Sequence, residues 1–301
     1  MAAMRILLLL ALTSFSPAQA QSNDPSRDHF SFDAAGDMRK FVGPGPNGKR
    51  YFDGVCEAIR TVGAGDFMIS PGDCDPPGPV RAMLDRYLGT NYTWYPVIGN
   101  HDAESKEDMS WVRHWNESGI NGLARRGPAG AEDTIYSFDR GNSHFIVMND
   151  YYNGKSDAVG KGDVPEATLK WLQEDLSATG RPLIWVTGHK PIQSMPDMDT
   201  GRIRHGDDPI TANAEHMDRF VALLKEFHVR AYICGHTHDT SITQVRGIWQ
   251  ADSGHARGAG DTGAPSTFLK FRISGSQAWV DVYRCDTPDG NYRLRKTVEL
   301  K

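Results

Sequence analysis

The sequence predicts a layered α/β domain: a four-layer αββα sandwich, with two facing mixed β-sheets flanked by helices. Three observations carry that expectation. Up to residue 238, short apolar runs of strand length alternate with amphipathic stretches of helical period. Five strand ends lead through a glycine into Asp, Asn or His, which is how an α/β sheet builds a site at the carboxyl ends of its strands. Beyond residue 238 the helical signal disappears and five strand-like segments follow one another.

Residues 1–20 stand apart from that domain, which is expected over 21–301. Arg5 supplies a positive start, residues 6–12 an apolar core, and Ala18-Gln19-Ala20 a signal-peptidase site before Gln21. The apolar run is too short to span a bilayer, and no other stretch approaches that length. The expected product is exported, periplasmic or secreted, with no membrane contact once the signal is removed.

The first strand is expected over 30–36, ending at Asp37. Gly43-Pro44-Gly45-Pro46-Asn47-Gly48 imitates a phosphate-cradling loop but lacks the Gly-Lys-Ser/Thr ending, so it reads as a surface loop. Val55, Ala58 and Ile59 give helical spacing over 53–61; residues 67–70 form a short buried-type strand closed by Pro71-Gly72-Asp73. A helix over 80–88 and a strand over 94–98 lead into Gly99-Asn100-His101-Asp102. The middle is less regular: a helix over 109–115, a loop over 122–130, and a hairpin of strands 134–139 and 144–148 turning at Arg140-Gly141-Asn142. Leu169, Leu172 and Leu176 share a helical face over 165–176, with proline where a first turn tolerates it. Residues 183–187 form a strand ending at Gly188-His189, followed by a long polar loop over 193–211 that contains Arg202, Arg204 and His205. Met217, Phe220, Val221 and Leu224 mark the clearest helix, 215–227, which leads into the strand 231–234. The segments 241–245, 248–251, 268–273, 278–283 and 292–298 all read as antiparallel strands.

Charge excludes some partners. The formal net charge is −5; removing Arg5 with the signal takes 33 basic residues to 32 against 38 acidic ones, and no basic run interrupts that balance. Nucleic acid is therefore not expected as the main partner. Cys56, Cys74, Cys234 and Cys285 permit disulfides, but their spacing does not choose a pairing, and packing is the competing role.

The chemistry-bearing residues gather at the strand ends: Gly36-Asp37, Gly72-Asp73, Gly99-Asn100-His101-Asp102, Gly188-His189 and Gly235-His236-Thr237-His238. Extended geometry would place His236 and His238 on one side of the backbone, with Gly235 clearing room for an ion. Imidazoles of this kind suit borderline divalent metals. Each motif alone has a dull explanation as a turn, a cap or a packed histidine. Their ordered set does not.

That set resembles the calcineurin-like metallophosphoesterases, a superfamily that includes the purple acid phosphatases, and the resemblance runs from Asp37 to His238. It implies two divalent ions (manganese, iron or zinc) bridged by Asp73, one held by Asp37, Asp73 and His238, the other by Asp73, Asn100, His189 and His236. The implied reaction is in-line attack of a bridging hydroxide on phosphorus. His101 is the implied acid, with Asp102 orienting its imidazole.

The pattern breaks at one place. Where most members have His two residues after the first aspartate, this chain has Arg39; where purple acid phosphatases have a tyrosine ligand, it has Pro76. The first ion is short of a ligand, leaving three readings: water, a distant residue such as His205 or His255, or weak binding. Arg39 cannot ligate a metal, but it can clamp a phosphate oxygen or pair with Asp75. His255, opening a glycine-rich loop, is a second substrate-side candidate. His228 and His216 lie at helix ends, and His29 and His144 at strand edges. The expected function is an exported hydrolase of small phosphomonoesters. The alternatives are a phosphodiesterase acting on nucleotides or glycerophosphodiesters, and a degenerate member that binds phosphate or a partner without turnover. A β-lactamase-like metallohydrolase is disfavoured, since no His-x-His-x-Asp-His run occurs.

Overall fold

The computed structural model describes residues 28–39, 51–119, 121–157, 160–257, 263–285 and 290–301; the expected signal segment and the expected loop around Gly43-Pro44-Gly45 lie outside them. In chain order the first elements are β1 (His29–Ala34), α1 (Phe52–Val62), β2 (Phe67–Ser70), α2 (Pro77–Leu88) and β3 (Thr93–Pro96). Next come α3 (Asn100–Glu104), α4 (Lys106–His114), β4 (Arg125–Arg126), β5 (Tyr136–Arg140) and β6 (Ser143–Val147). Then follow α5 (Glu166–Ala178), β7 (Leu183–Thr187), α6 (Ala214–Glu226) and β8 (Ala231–Cys234). The chain closes with β9 (Thr240–Val245), β10 (Ile248–Ser253), β11 (Ser266–Ser274), β12 (Gln277–Cys285) and β13 (Arg293–Glu299).

Two sheets form, with strand orders β13-β12-β11-β1-β2-β3 and β4-β5-β6-β7-β8-β10-β9. Both are mixed. β1, β2 and β3 run parallel, as do β6, β7, β8 and β10, while the outer strands pair antiparallel. The last five strands were expected to be antiparallel throughout. β10 departs from this, since it is antiparallel to β9 but parallel to β8.

Side-chain alternation along the strands accounts for the four layers. In β7, Leu183 and Trp185 face the space between the sheets, while Ile184 and Val186 face α5 and α6; in β8, Ala231 and Ile233 face inward and Tyr232 and Cys234 outward. In β2, Phe67 and Ile69 join the inter-sheet core, and Met68 packs outward with α1 and α2. Phe32 anchors the interior, stacked on Phe67 at 5.2 Å and on Phe271 at 4.6 Å, with Phe145 of the other sheet edge-on at 5.2 Å. Each such pair adds about 0.5–1.5 kcal/mol beyond its buried area.

Boundaries moved for local reasons. α2 begins at Pro77, whose fixed φ suits a first turn. α4 starts three residues before the expected Met109 because Ser105 Oγ caps it, accepting the Asp108 N–H at 3.1 Å. α3 has five residues, too few to show a period. All four cysteines are buried; Cys56 and Cys74 pack with α1 and α2, and Cys234 packs in the cluster beneath α5 and α6, where burial pushes their thiol pKa values well up. Among the described residues, no helix is long and apolar enough to cross a membrane.

His144, read as a strand-edge residue, is buried in β6. Its Nδ1 lies 2.7 Å from Asp139 Oδ1 and its Nε2 2.9 Å from Asp175 Oδ2, tying α5 to the hairpin. Burial alone would lower the imidazole pKa, but the two carboxylates outweigh it and lift the value to about 9. Because the folded value lies above the unfolded one, this contribution is complete below about pH 6.5 and disappears as pH rises through 9. Denaturant melts between pH 6 and 10 should therefore lose roughly 2–3 kcal/mol across that window. His144→Gln should flatten the profile; a wild-type profile already flat would remove the ion-pair account.

Candidate metal centre

The parallel strand order brings the carboxyl ends of β1, β2, β7 and β8 to one edge, where a bridge between Ile98 and Asn149 joins the two sheets. Immediately after those strands the backbone turns sharply. Asp37 and Asp73 both have φ 53°, His236 has φ 70° and His238 φ 58°. Left-handed backbone costs a non-glycine residue on the order of 1 kcal/mol or more, and its use at four expected ligands marks strain held for a purpose. Strand alternation is thus not what aligns the two histidines. β8 ends at Cys234, and each histidine enters the site through its own left-handed turn.

The glycines serve the carboxylates. A methyl group on Gly235 would overlap Asp37 Oδ2, the atom that accepts the His236 N–H at 2.8 Å. One on Gly99 would overlap the backbone nitrogen and Oδ1 of Asp73. The expectation that Gly235 makes room for an ion is replaced by closer packing: the room is for Asp37.

All six expected ligands meet. His189 Nε2 lies 3.5 Å from Asp73 Oδ1, 3.2 Å from Asn100 Oδ1 and 3.2 Å from His236 Nδ1. The outer nitrogens are committed elsewhere: His189 Nδ1–H donates to the Pro71 carbonyl at 2.8 Å and His236 Nε2–H to Asp208 Oδ2 at 2.8 Å. The inner nitrogens are therefore lone pairs. The Asp73 carboxylate, the Asn100 amide oxygen and His236 Nδ1 thus gather within 3.5 Å of His189 Nε2, a set of acceptors suited to a cation. The donor set fits a borderline divalent metal, and the outer acceptors set the tautomers such a metal needs. Burial lowers the His236 pKa to about 4, keeping it neutral. Burial also opposes charging His189, but Asp73 and Asp37 outweigh it and raise that pKa, so the pocket attracts positive charge.

Asp37, Asp73 and His238 form the other group, their ligand atoms all within 4.8 Å of one another. Burial works against the Asp37 carboxylate, yet the contact with His238 and the charges of His238, His189 and Arg257 hold its pKa below the usual range. His238 Nε2 is 3.4 Å from Asp37 Oδ1 and 3.2 Å from Arg257 Nη2, and Arg204 Nη1 contacts its Nδ1. Neither distant histidine completes this group. His205 stacks on His236 at 4.4 Å and sits with Asp208.

Two expected roles change hands. Asp102 is fully buried and its Oδ2 accepts the N–H groups of Gly99 at 2.8 Å and Cys74 at 3.3 Å, so it braces the loops and does not orient His101. The carboxylate on the His101 ring is Glu104, with Oε2 2.9 Å from Nδ1; residues three apart share a helix face, whereas Asp102 turns inward. His255 is also buried, its Nε2 2.9 Å from the Ala264 carbonyl and its ring 5.9 Å from that of His238, so it does not meet substrate. The same loop supplies Arg257 instead, whose Nε donates to the Asp37 carbonyl at 2.8 Å. Arg39 does both things expected of it: Nε pairs with Asp75 at 3.0 Å, while Nη1 reaches to 3.1 Å from His101 Nε2.

Sequence reasoning missed Asp150, whose Oδ2 accepts the N–H groups of His189 and Lys190 at 2.8 and 2.7 Å. Its position just past β6 was the available signal. Asp208 and Arg204 were hidden in the loop 193–211. A buried ion pair fixes that loop: Arg284 Nη2 donates to Asp197 Oδ2 at 2.6 Å, and the same oxygen accepts the Thr240 N–H at 2.9 Å.

The family model for calcineurin-like phosphoesterases matches residues 30–240. Tartrate-resistant acid phosphatase type 5 of Oryctolagus cuniculus is 28% identical over 237 residues, 71% of this chain and 66% of that protein, so the chain spans about two thirds of that relative's length. Among solved structures, PhoD superposes with TM-score 0.58 at 10% identity, covering 91% of this chain and 70% of that one. GAP50, the anchor in the inner membrane complex of Plasmodium, gives 0.55 at 13%, covering 91% and 89%. At such identities these two likenesses concern the fold alone.

Gly99→Ala tests the geometry. It should push Asp73 off its place and weaken manganese or zinc binding, followed by calorimetry, by roughly tenfold or more. Unchanged affinity would show that Asp73 is not a ligand.

Proposed function

The chain belongs to the calcineurin-like phosphoesterase family, and from that premise we propose that it is an exported, metal-dependent hydrolase of small phosphomonoesters. The observation that carries the reading is the gathering of Asp73, Asn100 and His236 acceptor atoms within 3.5 Å of His189 Nε2, a donor set suited to a divalent ion. Manganese, iron or zinc suits that set. A divalent ion bound there polarises a phosphoryl oxygen and lowers the pKa of a water molecule.

The protein's own groups do the rest. Arg39 and His101 have side chains 28% and 24% exposed, so a substrate can reach both from solvent. Asp75 steadies the Arg39 guanidinium, whose remaining N–H groups can clamp a phosphate oxygen. With phosphate in place, Arg39 turns to its oxygens and leaves His101 Nε2 to carry the proton handed to the departing alkoxide. Glu104 holds Nδ1–H and stabilises the imidazolium. Export to the periplasm or beyond rests on the leader composition of residues 1–20.

The test is to strip the protein of metal by dialysis and assay an activated aryl phosphate with manganese, zinc or iron restored. Metal-stimulated turnover is expected, faster on the monoester than on a matched diester; no stimulation by any of them would defeat the proposal. His101→Ala should lower kcat by roughly 10²–10⁴ without changing metal content. Glu104→Gln should cost less, of order tenfold.

A further inference from the structure

We infer that this centre holds a single divalent ion, at Asp73, Asn100, His189 and His236, and that the Arg257 guanidinium takes the place of the other. The inference rests on the proposed metal dependence only for that one ion. It starts from a difference between the two donor groups.

At His189 and His236 the outer nitrogens face acceptors, the Pro71 carbonyl and Asp208, so the inner nitrogens present lone pairs. At His238 both nitrogens face donors: Arg204 Nη1 at Nδ1, and Arg257 Nη2 at Nε2, 3.2 Å away. A neutral imidazole has a single lone pair: if Nδ1 takes the Arg204 N–H, Nε2 is itself an N–H directed at Asp37, and if Nε2 takes the Arg257 N–H its lone pair is used, so neither tautomer leaves Nε2 to a metal. The nitrogen directed at Asp37 is the one that meets Arg257, and Arg257 is itself fastened to the Asp37 carbonyl through Nε at 2.8 Å. Guanidinium is charged at every working pH and cannot ligate a metal.

The remaining surroundings agree. Arg39 occupies the chain position where a further ligand for a first ion was expected, and it is paired with Asp75. Arg257 is 9% exposed, held between the Asp37 carbonyl and the His238 ring. Asp37, Asp73 and His238 therefore do not fit an ion. They fit a built-in cation. Such a cation is part of the chain and cannot be chelated away.

Metal-free full-length protein would be loaded with manganese, desalted, and examined by elemental analysis and electron paramagnetic resonance. One ion per chain with the hyperfine pattern of isolated manganese is expected. Arg257→Ala should bind a second ion and show an exchange-coupled pair. His238→Ala should keep the wild-type count, whereas His189→Ala should lose the ion; these two carry the test if Arg257→Ala does not fold. Two ions in the wild type, or loss of the ion in His238→Ala, would overturn the inference and leave the hydrolase reading standing. An Arg257→Ala protein that folds and still holds a single ion would overturn the role of the guanidinium. No bound manganese in the wild type would overturn the inference, while the hydrolase reading would still be decided by the assay with zinc and iron.

Discussion

Negative charge buried at a shared sheet edge is the constraint on which the rest of this structure depends. Asp37, Asp73, Asp102 and Asp150 are all at most 2% exposed and lie around the carboxyl ends of the parallel strands. Carboxylates so placed must gain donors, gain cations or take up protons. Asp150 and Asp102 are answered by backbone N–H groups, and both still have raised pKa values, mainly from burial. Asp37 and Asp73 each accept one backbone N–H, from His236 and His101, and each also has an imidazole within 3.5 Å.

The fold makes that concentration possible and absorbs its cost. Two aromatic-rich inner faces lock the sheets together, so the strand ends stay in register although Asp37, Asp73, His236 and His238 sit in left-handed backbone. The strain is local and the restraint is distributed. A loop without that foundation would relax, and the ligands would scatter.

Much of this was readable in the chain. The pattern of glycine followed by Asp, Asn or His at Asp37, Asp73, Asn100, His189 and His236-Thr237-His238 gave the layer order and the residues that gather at one sheet edge, because one structural rule, strand then glycine then turn, produces each of them. What failed to show was anything decided by direction within a turn. Asp102 and Glu104 are both near His101 in sequence, and only the short α3 determines which faces the ring. His255 and Arg257 are two residues apart in a loop, with no period to say which enters the site. Arg204 and Asp208 sit in a loop whose path depends on Arg284, about eighty residues downstream.

That last tether has a wider meaning. Arg284 is fully buried and grips Asp197, and Asp197 in turn grips Thr240 next to the histidine pair. The segment over 193–211 is consequently a fixed rim and not a flap. Tied down in this way, the rim keeps Arg204 against His238 and Asp208 against His236, so the width and charge of the opening are set by the fold itself.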